Sequence, residues 1–341
     1  MIFFDVTKAG GAGHRSGLMR VSARLADGLR DVSTEVRWPA WDFAAALRDD
    51  WFLTGELFSE EERPGFAAFV ENPPCRLAAI FHDAIPLKHP HITWPQSVAR
   101  HSGYMKLLAK FDRVWAVSEA SRDELIGFWR WQGVEKIPPV EVLALGADFN
   151  AAPRVTTRPA AGAAKASLLC VGILEPRKNQ AFLLEVCAEL WSEGEAFDFH
   201  LVGRVNPHFG KDIAARVKKM ARTYPGLRYH AAASDEAVAA LYATARATVF
   251  PTIAEGCGLP LLESLWQGVP CVCSDLPVLR ENSAGGGCLP VTLNDRAKWK
   301  ATLRRVLKEK AMYAILTSEA TSRALPTWAE AALTLRRAMQ A

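Results

Sequence analysis

The sequence predicts an α/β protein made of two successive Rossmann-like, doubly wound domains. Short apolar runs alternate with amphipathic stretches along the chain, a pattern typical of parallel sheets with right-handed crossovers. The pattern stops between Asn150 and Ser167, where alanine, proline, threonine and glycine occur without periodicity, and then it restarts. The length of 341 residues also favours two cores, because single hydrophobic cores stop growing at about 250–300 residues.

We therefore expect a first domain over residues 1–150, a linker over 151–166 and a second domain over 167–315. The remaining segment, 316–341, is expected to be a helix that returns to the first domain. In open doubly wound sheets, ligands bind beyond the carboxyl ends of the strands, so the loops after strands are where site residues are expected.

The individual elements follow from the periodicity. A glycine-rich segment, Gly10–Gly17, leads from the first strand into the first helix, and Ser118 or Ser121 is expected to open a later one. In the first half, strands are predicted at Ile2–Val6, Arg76–His82, Arg113–Val117 and Glu141–Leu145, and a helix at Leu18–Leu29. In the second half, strands are predicted at Leu168–Val171, Phe197–Val202, Leu227–Ala231, Ala247–Phe250 and Pro270–Cys273, and helices at Gln180–Trp191, Ile213–Thr223, Asp235–Ala243 and Pro260–Gln267.

The composition excludes several classes of protein. Half of the residues are hydrophobic and 23% are charged, an ordinary globular balance that does not fit a disordered chain, collagen or a repeat array. The net charge of +4 is compatible with an anionic ligand or a membrane surface, although ordinary surface composition explains it as well. No nucleic-acid partner is expected.

The cysteines and the apolar runs indicate the compartment. The chain has seven cysteines, an odd number without a CxxC pair, which suits a reducing cytoplasm and argues against a thiolate zinc site. Asp5 interrupts any signal-peptide core, and no apolar run approaches the ~20 residues of a membrane span. We expect a cytoplasmic protein that is either soluble or peripheral at the inner membrane face.

The strongest motif is Pro251-Thr-Ile-Ala-Glu-Gly-Cys-Gly-Leu-Pro-Leu-Leu-Glu263, which follows a predicted strand. Gly256 and Gly258 permit a tight backbone path close to a ligand. Glu255 then projects from a glycine loop while Glu263 lies in the first turn of the next helix, where backbone N–H groups also favour phosphate. Carboxylates suit pairs of sugar hydroxyls. The alternative is that one glutamate is only a favourable first-turn charge.

A second motif, Cys170-Val-Gly-Ile-Leu-Glu-Pro-Arg-Lys-Asn179, also follows a strand and precedes a helix. Arg177 offers a planar fork of donors and Lys178 a mobile point charge, so together they suit a diphosphate. The alternative is a solvated basic turn.

Two further segments follow strands in the first half. His82 lies at a strand end, and His89 and His91 nearby suggest a metal, but their spacing on a proline-rich loop is poor, so no metal is expected. The Gly10–Gly17 loop suits a phosphate because it opens a helix. Its glycine spacing does not fit GxGxxG, which argues against a dinucleotide dehydrogenase.

Together these motifs resemble the retaining GT-B glycosyltransferases of family 4, in particular the mannosyltransferase-like branch of bacterial polysaccharide synthesis. The E-x7-E run EGCGLPLLE, the segment GILEPRKN and the His-Asp-x-Ile-Pro strand end carry the resemblance. Trp115–Glu124 and Ala144–Asp148 extend it, so that it covers nearly the whole chain. The resemblance implies two Rossmann-like domains that face each other across a cleft.

The resemblance also implies roles for single residues. His82, Arg177, Lys178 and Glu255 would be catalytic, with the two cations on the donor diphosphate and Glu255 on the transferred sugar. Glu263 would hold the ribose. The implied donor-binding residues are Gly13, Gly17, Ser118, Gly146, Gly172, Gly203, Glu236, Gly256, Cys257, Gly258, Leu259 and Glu263. Two features depart from the family: Cys257 replaces a common aromatic residue, and the first glycine loop is longer than usual.

The activity implied is transfer of a mannose-like sugar, or a related hexose or deoxyhexose, from a GDP-, UDP- or dTDP-linked donor to a saccharide or lipid-linked acceptor. The family works without a cofactor, and without a bound metal. A nucleotide-sugar epimerase and a non-catalytic sugar-nucleotide-binding subunit remain as alternatives. The aromatic segment Phe128–Trp131 is compatible with an acceptor or lipid surface, although packing within the fold is the favoured interpretation.

Overall fold

The computed structural model describes residues 1–11, 17–148, 153–158 and 165–340. These residues divide into two compact units. The first comprises Met1–Gly146 together with Pro326–Ala341, and the second comprises Ala147–Leu325. Each unit contains one six-stranded sheet with helices beside it, and every pairing between neighbouring strands is parallel. The predicted α/β, doubly wound fold class is confirmed.

The sheet of the first unit has the strand order β2-β1-β3-β4-β5-β6. The order reverses between β1 and β3, so this pair forms the topological switch point, where such folds bind ligands. The strands are β1 (Ile2–Asp5), β2 (Ser33–Val36), β3 (Trp51–Thr54), β4 (Arg76–Phe81), β5 (Arg113–Ala116) and β6 (Val140–Val142). The helices are α1 (Gly17–Leu29), α2 (Phe66–Glu71), α3 (Ile85–Lys88), α4 (Pro95–Leu108), α5 (Glu119–Trp131) and the C-terminal α13 (Trp328–Gln340).

The sheet of the second unit has the strand order β12-β11-β10-β7-β8-β9, so its switch point lies between β7 and β10. The strands are β7 (Ser167–Val171), β8 (Asp198–Val202), β9 (Leu227–His230), β10 (Ala247–Phe250), β11 (Cys271–Ser274) and β12 (Cys288–Val291). The helices are α6 (Gln180–Ser192), α7 (Lys211–Thr223), α8 (Asp235–Thr244), α9 (Leu259–Trp266), α10 (Pro277–Ser283), α11 (Arg296–Lys308) and α12 (Lys310–Ser322).

The sequence pattern did not predict three of the strands, and the physical reason differs for each. β2 is an edge strand whose middle residues are exposed, so it lacks an apolar run. β3 is buried along all its residues and shows no alternation. β12 contains Pro290, which is tolerated because β12 is the edge of its sheet.

The end of the chain and the segment before β7 are held by specific contacts within their units. Helix α13 packs closely on α1: a Cβ at Gly28 would lie only 2.5 Å from the Cβ of Ala332. In the second unit, the guanidinium of Arg158 donates to four backbone carbonyls, those of Tyr242, Ala243, Ala245 and Gln267. The described part of the proline- and alanine-rich segment, residues 153–158, is therefore hydrogen-bonded to the rest of the second unit.

Aromatic side chains fill the core of the first unit. Trp115 and Trp129 are fully buried, and the Trp129 indole donates to the carbonyl of Met105. Within the segment Phe128–Trp131, packing thus explains Trp129, whereas Trp131 is 77% exposed. The sheet faces are covered by helices, which leaves the loops at the strand ends to form sites.

Candidate active site

Two loops meet at the switch point of the second sheet. One follows β7 and contains a short 3₁₀ turn, Pro176–Lys178; the other follows β10 and leads to Glu255. The carbonyl of Arg177 accepts from the Ile253 N–H at 2.8 Å and from the Thr252 hydroxyl at 3.1 Å. These bonds fix the two loops to each other, so the side chains they carry have defined positions.

Glu255 is the centre of this cluster. Its Oε1 accepts from Lys178 Nζ at 2.5 Å, from Thr252 Oγ1 at 2.7 Å and from Arg177 Nη1 at 2.9 Å. Only 8% of its side chain is exposed. Burial by itself would raise the pKa of Glu255, but the positive charges of Lys178 and Arg177 outweigh burial, and the pKa is lowered. Glu255 is therefore ionised at neutral pH.

Lys178 is held in an unusually dry position for a lysine. Its side chain is 10% exposed, and Nζ lies 4.9 Å from the centre of the Phe250 ring, a cation–π contact. Burial and the neighbouring Arg177 charge lower the pKa of Lys178, while the Glu255 carboxylate opposes them. The ammonium group is compact, poorly hydrated and placed at the end of a strand.

Arg177 joins the cluster to a second carboxylate. Its Nη2 lies 2.8 Å from Oε1 of Glu175, and Oε2 of Glu175 accepts from the Asn206 amide at 3.0 Å. Sequence reasoning did not assign Glu175, Asn206 or Thr252. Glu175 and Thr252 lie inside the two quoted motifs, so their polar side chains beside the assigned residues could have identified them. Asn206 follows β8 outside any motif, so the sequence held no signal for it.

Two glycines of the site are required by geometry. A Cβ at Gly203 would lie 2.0 Å from the carbonyl oxygen of Gly172, so the loops after β7 and β8 approach too closely for any side chain. Gly258 precedes helix α9 with a φ of +82°, and a Cβ there would lie 2.7 Å from Leu279 Cδ2. Both glycines hold the strand-end backbone in place.

The expectation that Glu263 lies in the first turn of its helix is wrong. Helix α9 begins at Leu259, with Pro260 as its second residue, so Glu263 belongs to the second turn. Glu263 is buried, with 6% of its surface exposed. A first-turn interaction with the helix dipole therefore does not explain Glu263, because that effect fades beyond the first turn.

The remaining donor-binding candidates of the second unit have varied surroundings. Gly256 and Leu259 are buried, and Cys257 is half-buried, with its carbonyl accepting from Asn282 Nδ2 at 2.5 Å. Glu236 is exposed in the first turn of α8. Its pKa is lowered by its own backbone N–H and by the Ser234 hydroxyl.

Other candidates belong to the first unit. His82, after β4, is 7% exposed, and its Nε2 donates to the carbonyl of Gly55 at 2.8 Å. That bond places the proton on Nε2, because a carbonyl oxygen can only accept. Burial lowers the pKa of His82, so the imidazole is neutral at pH 7. Ser118 caps helix α5 by accepting from the Ser121 N–H at 3.0 Å, a structural role.

Three glycines are the last of the implied donor-binding residues. Gly17 is the first residue of α1, and Gly146 is buried at the end of the first unit's main segment. Gly13 lies outside the described residues. Of the implied catalytic residues, the second unit thus brings Arg177, Lys178 and Glu255 into one cluster, and His82 stands in the first unit.

Across the described ranges, no group of three or more His, Cys, Asp or Glu side chains is placed to hold a metal ion. The described helices include none with the length and apolarity needed to cross a membrane. All seven cysteines are free.

Comparison with known proteins gives matches over part of the chain. Residues 165–309 match the family model described as Glycosyl transferases group 1. The chain is 32% identical over 228 residues to the serotype-specific mannosyltransferase WbdA of Escherichia coli, covering 59% of this chain and 26% of WbdA. It is 31% identical over 156 residues to the O-antigen chain mannosyltransferase B of Escherichia coli, covering 46% and 40%. The chain thus spans about a quarter to two fifths of these relatives.

Among solved structures, Anabaena HepE in complex with UDP and glucose superposes with a TM-score of 0.74, covering 99% of each chain at 13% identity. At that identity the likeness concerns the fold. The predicted resemblance to GT-B glycosyltransferases is confirmed, and the epimerase and the non-catalytic subunit are not favoured. Residues 165–309 thus match the glycosyl transferases group 1 family model, and the chain has the two-unit α/β GT-B fold.

Proposed function

We propose that the chain is a retaining glycosyltransferase that transfers a mannose-like sugar from a nucleotide-diphosphate donor to a saccharide or lipid-linked acceptor in bacterial surface polysaccharide synthesis. The observation that carries the proposal is the cluster at the β7–β10 switch point, where Arg177 and Lys178 converge on Glu255. The names of the mannosyltransferase relatives support the sugar class and the pathway.

The two cations are the proposed diphosphate clamp. Arg177 and Lys178 are balanced by Glu175 and Glu255, so the cluster is neutral as it stands. A donor diphosphate supplies oxygen acceptors that replace carboxylate oxygens on the two cations, which frees Glu255 to bind hydroxyls of the transferred sugar. Because Lys178 is poorly hydrated, its attraction for a phosphate oxygen is stronger than in water.

The same clamp accounts for the rate of transfer. As the bond from the sugar to phosphate breaks, negative charge grows on the departing diphosphate, and the preorganised cations stabilise it. One such donor contributes about 2.7–4 kcal/mol of transition-state stabilisation. The leaving phosphate accepts the proton of the acceptor hydroxyl on the same face, so the configuration is retained. Glu263 holds the ribose, and His82 contacts the sugar near the reacting carbon.

A panel of GDP-, UDP- and dTDP-linked sugars in a thermal-shift assay tests this function. A ligand at one hundred times its Kd stabilises the folded state by about 2.7 kcal/mol, so the correct donor raises Tm measurably. Release of nucleoside diphosphate must then depend on added acceptor. Absence of a shift with every donor overturns the proposal, and donor turnover without acceptor indicates an epimerase instead.

A further inference from the structure

Two asparagines of the second unit have an unusual backbone conformation. Among the described residues other than glycine, only Asn179 and Asn294 have a positive φ, of 56° and 59°. This left-handed region is disfavoured for residues with a Cβ, although asparagine tolerates it better than most. Asn179 immediately follows Lys178, and Asn294 lies between β12 and α11.

The side chains of these two asparagines are hydrogen-bonded to each other. The Asn179 amide Nδ2 donates to Oδ1 of Asn294 at 3.0 Å, across 115 residues of the chain. The loop after β7, which carries the proposed clamp, is thereby tied to the loop after β12. Both loops follow strands of the same parallel sheet, so both lie at the carboxyl edge where such sheets bind ligands.

Asn179 occupies a helix-capping position but does not cap the helix with its side chain. It is the residue before α6, where an asparagine ordinarily has a non-helical, extended backbone and accepts from an N–H of the first turn. Asn179 has a left-handed backbone instead, and its side chain bonds to none of the described first-turn N–H groups. The side chain is therefore used for the contact with Asn294.

The left-handed residue sets the direction in which the chain leaves the clamp. The 3₁₀ turn Pro176–Lys178 ends at Asn179, whose N–H donates to the Pro176 carbonyl at 3.0 Å, and α6 begins one residue later. The backbone angles of Asn179 thus fix the orientation of the turn relative to α6. Because the turn carries Arg177 and Lys178, these angles also determine where the two cations point.

Asn294 belongs to a well-anchored segment on the other side of the contact. The next residue, Asp295, caps α11 with its side chain. Helix α11 packs against α6, and Arg296 pairs with Glu185 and, at 3.0 Å, with Glu189 of that helix. Asn294 itself is exposed, so its side chain adds little to the core. Its contact with Asn179 instead holds the end of the clamp loop.

We propose that Asn294 is a positioning residue for the diphosphate clamp and acts through Asn179. Oδ1 of Asn294 holds the Asn179 amide, and Asn179 in its left-handed conformation keeps Arg177 and Lys178 oriented toward the donor diphosphate. Asn294 does not touch the donor. The inference rests on the proposed function, because it assigns a supporting residue to the clamp of that same site.

Calorimetry with paired nucleotides measures the clamp without a sugar or an acceptor. GDP, UDP and dTDP carry the second phosphate that the clamp would hold, whereas GMP, UMP and dTMP lack it. The ratio of diphosphate to monophosphate affinity therefore reports on the clamp. Asn294→Gly keeps the left-handed backbone accessible and removes the acceptor. This variant is expected to lower the ratio about fivefold, the value of one neutral hydrogen bond.

A conservative variant, a partner variant and a control sharpen the test. Asn294→Asp keeps an oxygen acceptor on a residue that tolerates the left-handed region, so it is expected to retain the wild-type ratio. Asn179→Gly should lower the ratio as Asn294→Gly does, with no further loss in the double variant, because both remove the same contact. The control is Asn72→Gly, at an exposed asparagine after α2 in the first unit, which should leave the ratio unchanged.

Three results overturn the role of Asn294: a wild-type ratio in Asn294→Gly, an equal loss of monophosphate and diphosphate affinity in that variant, or failure of Asn294→Asp to retain the ratio. Lys178→Ala, measured in parallel, reports on the clamp itself. An unchanged ratio in Lys178→Ala contradicts the proposed clamp, and the role of Asn294 falls with it. A lowered ratio in Lys178→Ala beside a wild-type ratio in Asn294→Gly contradicts the role of Asn294 alone.

Discussion

The ammonium group of Lys178 and the carboxylate of Glu255 lie 2.5 Å apart, although 77 residues separate them in the chain. Both side chains are buried, and both stand where the strand order of the second sheet reverses. A buried pair of this kind is a weak source of stability, because desolvation offsets much of the attraction. Its placement at the edge where doubly wound sheets bind ligands is the basis for the role in binding and catalysis that we propose for it.

Loss of Lys178 should slow transfer far more than it weakens acceptor binding. Lys178→Ala removes one of the two cations on the leaving diphosphate, so we expect kcat to fall by about 10²–10³ with little change in acceptor KM. Steady-state kinetics with saturating donor measure this. The control is Lys298→Ala, which removes an exposed lysine paired with Asp295. A rate for Lys178→Ala equal to wild type would remove the clamp from the mechanism.

The two glutamates of the E-x7-E run should affect different constants. Glu255→Gln should lower kcat strongly and leave affinity for the free nucleoside diphosphate nearly intact, because the sugar contact strengthens in the transition state. Glu263→Gln should weaken nucleoside diphosphate affinity, since ribose contacts persist without a sugar. Calorimetry beside kinetics separates the two. Equal loss of nucleotide affinity in both variants would contradict this division of roles.

Activity should survive a strong chelator. The described residues contain no ligand cluster for a metal ion, and the proposed charge stabilisation comes from Arg177 and Lys178. Transfer assays with and without EDTA give the comparison. Abolition of transfer by the chelator, followed by rescue with Mn²⁺ or Mg²⁺, would contradict this expectation.

Stability should fall as the pH falls below about 6.5, partly because of His82. Burial lowers the pKa of His82 in the folded state, below the unfolded value of about 6.5. The unfolded chain therefore binds more protons, so stability is full above pH 6.5 and is lost as the pH falls toward the folded pKa. His82→Asn should flatten this dependence. Urea unfolding midpoints at pH 7 and pH 5 measure this dependence, and His91→Asn, at an exposed histidine, is the control. An equal fall of the midpoint between pH 7 and pH 5 in wild type and His82→Asn would contradict the prediction.

Local sequence determined much of the second unit. The apolar runs and the glycines around β7 and β10 placed both strands, and the polar residues after each strand identified Arg177, Lys178 and Glu255 as site candidates. Parallel strands align their carboxyl ends, so these residues were expected at one edge of the sheet. The short edge strand β2, the fully buried β3 and the proline-containing β12 gave no such periodic signal.

The sequence by itself therefore determined the fold class and the loops that carry the proposed donor chemistry, because both depend on short-range periodicity and on residue types beside strand ends. Only the tertiary structure decided which groups meet. Asp5 and Arg63 pair across 58 residues. The Tyr104 ring packs against Phe58 and Phe81 from other segments, and its hydroxyl has no hydrogen-bond partner among the described residues. Such contacts depend on strand order and packing, which local propensity does not encode.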